Sequence, residues 1–159
     1  MGFFGGYIFD GRIWRGFDPD SNQRPDTAAP WLSVYIHDSD IATVRYEPSG
    51  LGSGTAYLGY TPRTYFADES ASAPADVRRE AEGLALWLAR QQGRDDEAEL
   101  RELIASFLAA DIREQQLDDD ARIGDDAGVL DDADIFVEVK VSRFLNAIGL
   151  PIPHELPSA

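Results

Sequence analysis

The sequence contains no cysteine. That removes disulfides, thiolate metal sites and cysteine nucleophiles together, and it fits a reducing compartment. Histidine is scarce too, with two among 159 residues, so a transition-metal centre lacks its commonest ligands and neither a metal nor another cofactor is expected. No apolar run approaches the roughly 20 residues a membrane span needs. Met1–Gly6 is apolar but has no basic flank of the kind that marks a secretory leader. The expectation is a cytoplasmic protein with no membrane contact. Basic residues are few: 14 Lys and Arg stand against 29 Asp and Glu, for a net charge of −15. Lys and Arg contacts to phosphate supply most nucleic-acid affinity, so this balance argues against a DNA or RNA binder. It favours a basic protein partner through long-range attraction, besides its ordinary service to solubility.

What the chain does have is a hydrophobic content of 43%, with 11% aromatics. That is enough for one domain over residues 1–159 with a substantial core. Trp31–Tyr60 reads as a three-stranded antiparallel meander. Leu32, Val34 and Ile36 alternate, the chain turns at Asp38-Ser39-Asp40, and Ile41–Tyr46 resumes the strand pattern. The Gly-rich turn Ser49–Gly54 then leads into Thr55–Tyr60. Upstream, Asp10-Gly11 between apolar triplets predicts a two-residue hairpin of type I′. Asp18–Pro30 is a loop with three prolines, and Thr61–Phe66 reads as an irregular edge strand or loop.

Two helices follow. Ser72 and Pro74 mark the start of the first, Val77, Ala81, Leu84, Ala85 and Leu88 share one face of it, and Gly93 ends it. Asp96 with Glu99 resembles a capping box for the second, whose apolar stripe runs through Leu100, Leu103, Ile104, Phe107, Leu108 and Ile112. A link of about three residues makes the pair antiparallel. Asp118–Asp134 holds eight aspartates and one arginine, close to half of the net charge, and reads as an acidic loop. Ile135–Val141 is the clearest strand pattern in the chain, and Ser142 caps a short helix, Arg143–Ile148. Residues 151–159 form a Pro-rich, non-helical tail. The fold class is α+β: an antiparallel meander and hairpins packed against two antiparallel helices, with a late strand returning to the sheet.

Few motifs carry chemistry. The Gly50–Gly54 run has Thr55 where a dinucleotide fingerprint needs glycine and where a Walker loop needs lysine, and it leads into a strand. Ser53 lacks the flanking glycines of a nucleophile elbow. His37, Asp38 and Asp40 are types that a triad or metal site uses, but they share one turn, where aspartates more often cap the backbone. The aspartate run fails the EF-hand register. Glu138-Val139-Lys140, on one face of a strand, resembles the ExK half of the PD-(D/E)xK nucleases. That likeness implies a metal-binding Glu138 and a hydroxide-stabilising Lys140, with Asp125, Asp126, Asp131, Asp132 or Asp134 as the third group. An ordinary solvent-facing strand accounts for the same residues, and the acidic balance favours it.

The order of features in Trp31–Gly93 resembles the immunity proteins of bacterial polymorphic toxin systems, the α+β group that neutralises deaminase-type toxins. LSVYI is followed by IATVRY, a Gly-rich hairpin into TAYLGY, Tyr65-Phe66, a linker with Pro74, and an apolar helix ending at Gly93. The tryptophan which that family tends to carry after the helix is absent, and Asp95-Asp96 stand there instead. The resemblance implies a non-catalytic inhibitor of a basic toxin. On this reading the partner-binding residues are Asp118, Asp119, Asp120, Asp125, Asp126, Asp131 and Asp132, with Trp31, Tyr35, Tyr46 and Tyr57 as aromatic anchors. The alternatives are the metal-dependent phosphodiesterase and an assembly subunit that buries its N-terminal aromatic hairpin between copies.

Overall fold

Alternation of period two builds the sheet. The computed structural model describes residues 2–19, 28–111 and 136–159. Its elements run β1 (Gly5–Phe9), β2 (Trp14–Gly16), β3 (Trp31–His37), β4 (Ile41–Glu47), β5 (Thr55–Gly59), α1 (Pro62–Tyr65), α2 (Val77–Gln92), α3 (Glu97–Phe107) and α4 (Val137–Ala147). The strands form one antiparallel sheet in the order β2-β1-β3-β4-β5. Leu32, Val34 and Ile36 of β3 pair with Tyr46, Val44 and Ala42 of β4, and all six point into the core. The opposite face carries Trp31, Tyr35, Thr43, Arg45 and Tyr57.

The expected α+β class and the meander are both present. The first hairpin differs in its turn. Four residues, Asp10–Ile13, separate the paired Phe9 and Trp14, because the Asp10 carboxylate accepts from the backbone N–H groups of Arg12 (2.9 Å) and Ile13 (3.0 Å). Such Asx geometry fixes a longer turn than Asp-Gly alone would. Those backbone bonds, Ile13 foremost, hold the Asp10 carboxyl below the usual range.

The helices cover the inner face. α2 and α4 rest on β4 and β5, and α3 folds back along α2 and touches α4. α2 begins later than Ser72: Asp76 is its N-cap and accepts from Arg79 N–H at 3.0 Å. Gly93 ends it in the left-handed conformation, φ 62°. The capping box expected at Asp96 does not form, because the Asp96 carboxylate is taken by the Arg94 guanidinium. Thr61–Phe66 is not an edge strand. Thr61 and Thr64 cap each other's backbone and start the one-turn α1 at Pro62, whose fixed φ suits a first helical position.

The late strand is a correction: residues 137–147 form α4. Val137, Val141, Phe144, Leu145 and Ile148 are all buried, at spacings of four, three, one and three, so the helical stripe overrides the local β-branched alternation. The sheet gains no sixth strand from this segment. Residues 151–159 hold no helix or strand, as expected, and the tail meets β2. Trp14 Nε1–H donates to the Pro151 carbonyl at 2.6 Å, and Leu150 and Leu156 join the core.

The Gly-rich turn sits directly on α2. A Cβ at Gly83 would collide with the Tyr46 hydroxyl and lie 2.9 Å from the Gly52 nitrogen. Gly83→Ala is expected to lower stability by about 1–2 kcal/mol in thermal unfolding. Alanine at an exposed helical glycine would instead add up to about 1 kcal/mol, so a gain would contradict this close approach.

Candidate functional site

The turn between β3 and β4, Asp38-Ser39-Asp40, joins several elements through polar contacts. Asp38 (φ 54°) and Ser39 (φ 59°) are both left-handed, and Ala67 (φ 50°) joins them across the corner. Non-glycine residues in this region each cost on the order of 1–2 kcal/mol, and such strain gathers at functional positions and tight junctions. Ser39 explains its own share. Its N–H donates to the Phe3 carbonyl (3.1 Å) and its carbonyl accepts from Val137 N–H (2.8 Å). Its hydroxyl accepts from Phe3 N–H (2.7 Å) and donates to Glu138 Oε1 (3.1 Å). One buried serine thus ties the start of β1 to the start of α4. Its hydroxyl faces Glu138 rather than His37, so the Ser-His-Asp relay is not assembled here.

Around His37 lies a continuous aromatic cluster. Phe4 meets the imidazole edge-on at 5.1 Å between centroids, Tyr65 at 6.2 Å, and Phe66 lies at 6.5 Å. Tyr65 also packs on Phe66 (4.9 Å) and Tyr60 (6.0 Å). Tyr35 OH stands 3.5 Å from His37 Nδ1. Phe4 and Phe66 are 53% and 57% exposed. Two large apolar rings are therefore held by neighbouring rings in positions that bury little of them. Carboxylates border the cluster: Tyr65 OH donates to Asp38 Oδ2 at 3.3 Å. Burial first, then Asp38 and Asp40, raise the Tyr65 phenol above its ordinary value, so it stays a neutral donor.

The expected anchors divide. Trp31, Tyr35 and Tyr57 lie on the outer face of the sheet, with Tyr35, Thr43 and Tyr57 in one cross-strand row. Tyr46 points the other way and is 1% exposed. Its hydroxyl donates to Glu80 Oε2 (3.0 Å), and burial, then the Glu80 charge, push the phenol far above its usual value. It is a core residue with no surface to offer. Asp118, Asp119, Asp120, Asp125, Asp126, Asp131 and Asp132 lie outside the described residues. Glu138 and Lys140 are corrected along with their strand. Two residues apart on a helix lie roughly 200° apart, so the shared face that the ExK likeness requires does not exist. Among the described residues, no three His, Asp or Glu groups could hold a metal ion.

Of the corner residues, the sequence marks His37, Asp38 and Asp40 as types that a triad or metal site uses, and it assigns no binding role to Phe4, Tyr60, Tyr65 or Phe66. Their visible signal was the Tyr65-Phe66 pair and the aromatic enrichment of the N-terminal half; convergence on His37 is tertiary. No known family model, curated protein or solved structure matches the chain.

Proposed function

We propose that the protein is a non-catalytic binding protein for a basic protein partner, acting as an inhibitor of the immunity type that residues 31–93 resemble. The observation that carries this reading is the corner itself. Phe4 and Phe66 stand exposed on a supported aromatic cluster beside Asp38 and Asp40, in a chain of net charge −15. Exposed aromatics on a rigid base make good interface anchors. A surplus of carboxylates raises the rate at which a basic partner is found. The aspartates of 118–134 belong to that steering charge, and Trp31, Tyr35 and Tyr57 extend the contact across the outer sheet face.

The test begins with capture from native host lysate at low and moderate salt, read by mass spectrometry, and continues with variants against the captured protein. Phe66→Ala is expected to weaken binding by about 30-fold, as loss of an interface anchor does, while Leu51→Ala, exposed on the Gly-rich turn, changes little. Replacing Asp118, Asp119, Asp120, Asp125 and Asp126 by Asn is expected to slow association and flatten its salt dependence. Equal affinity for Phe66→Ala and the native protein would reject the corner. Unchanged association kinetics in the Asn variant would reject the acidic segment as the steering element.

A further inference from the structure

Beside α1 is an open hollow of about 400 Å³, bordered by Asp40, Tyr60, Arg63, Thr64, Tyr65 and Asp111. Its size lies within the range of about 300–1,000 Å³ typical of small-ligand sites. Two carboxylates face one guanidinium, so its lining carries net negative charge. That charge does not suit an anion, and the polar wall does not suit an apolar ligand.

Asp111 is the informative residue. Its Oδ2 accepts from Ala75 N–H at 2.9 Å. Arg63 Nε stands 3.9 Å from the same oxygen, too far for a hydrogen bond. Its Oδ1 is buried and has no hydrogen-bond partner among the described residues. A buried carboxylate oxygen without a donor leaves the charge poorly compensated, and the same side chain stays 24% exposed where it lines the hollow. The hollow also offers aromatic walls. Tyr60 and Tyr65 sit edge to face at 6.0 Å, and the hydroxyl of Tyr65 is already turned to Asp38, which leaves its ring as lining.

Carboxylate acceptors set against tyrosine rings select a flat, multiply donating cation. A guanidinium stacks on an aromatic face and donates along its edge at the same time. We infer that this hollow receives an arginine side chain of the partner, with Asp111 and Asp40 accepting from the guanidinium and Tyr60 and Tyr65 forming its walls. The inference rests on the reading of a basic protein partner and names one contact of it. Arg63, a lining residue within ion-pair distance of Asp111, is an internal competitor for it.

The site is testable without the partner. N-acetyl-arginine methylamide is titrated into the isotope-labelled full chain at constant ionic strength, with the citrulline analogue as neutral isostere. Amide resonances of residues 60, 61, 63–67 and 111 are expected to shift saturably, with a dissociation constant in the millimolar range, as suits one stacked ion pair. The citrulline probe is expected to leave them unmoved. Asp111→Asn keeps an acceptor for Ala75 N–H and is expected to weaken the probe about fivefold or more, and Arg63→Gln to tighten it about threefold, by removing a like charge. Asp40→Asn serves as the second variant should Asp111→Asn not fold.

Absence of saturable shifts, an equal response to citrulline, or shifts spread over the whole acidic surface would overturn the inference. So would Asp111→Asn or Asp40→Asn binding the probe as the native chain does. A captured partner that depends on Phe66 but is indifferent to Asp111→Asn would retain the binding reading and reject this pocket. Specific probe binding with no partner captured would retain the pocket and reject that reading.

Discussion

Replacing Glu80 by alanine is expected to lower the unfolding free energy by about 3 kcal/mol, seen as a lower denaturant midpoint at unchanged slope. Glu80 is 3% exposed on the first turn of α2. Its carboxylate accepts from the Tyr46 hydroxyl (3.0 Å) and from Ser53 N–H (2.5 and 3.1 Å). It thereby fastens a core strand and the Gly-rich turn to one helix. Removing it strands two donors, at about 1–3 kcal/mol each, and the relieved desolvation of one buried charge offsets part of that loss, which leaves about 3 kcal/mol. Tyr46→Phe removes one donor and leaves Ser53 bonded, and is expected to cost about 1 kcal/mol. An alanine variant as stable as the native chain would show that burying this carboxylate consumes all that its bonds return.

Ser39→Ala is expected to cost about 2 kcal/mol, because the hydroxyl serves two partners at once. Phe3 N–H loses its acceptor, and Glu138, whose Oε2 already lacks a partner among the described residues, loses its donor to Oε1. Ser39→Gly loses the same bonds but sheds the left-handed strain at φ 59°, and should recover about 1 kcal/mol of the loss. Adding Glu138→Ala to Ser39→Ala removes the stranded carboxylate, so the double variant should lose less than the sum of the two single losses. Equal stabilities of the Ala and Gly variants would show that the turn stores no strain; strict additivity would show that the Ser39–Glu138 contact carries no coupling.

The sequence discloses the sheet better than the corner, for reasons visible in particular residues. Leu32, Val34 and Ile36 announce β3 because one face of the sheet is buried and the other is not. The periods of Val77–Leu88 and Leu100–Phe107 announce α2 and α3 in the same way. α4 reads as a strand because Val137, Val139 and Val141 alternate, and because Ser142 is a residue type that caps helices. Continued past Ser142, the spacing of Val137, Val141, Phe144, Leu145 and Ile148 is helical, and Ser142 Oγ–H donates back to the Glu138 carbonyl within the helix at 3.1 Å. α1 does not announce itself because its reciprocal cap uses threonine at both ends rather than a glutamate. Nothing in the composition of the Gly50–Gly54 run announces that Glu80, distant in sequence, pins it through Ser53 N–H. Tyr46 and Tyr57 face opposite ways because Tyr46 alternates in step with the buried Ala42 and Val44, and Tyr57 out of step with the buried Ala56 and Leu58.

The seam at Ser39 bears on how the chain is made. About 100 residues separate this turn from Val137 and Glu138, and ribosomes add about 5–20 residues per second. The central hairpin therefore waits on the order of 5–20 seconds after its own synthesis before α4 arrives to close it. Through that interval β4 and β5 lack the cover that α4 gives them, and the nascent sheet is more adhesive than the finished one.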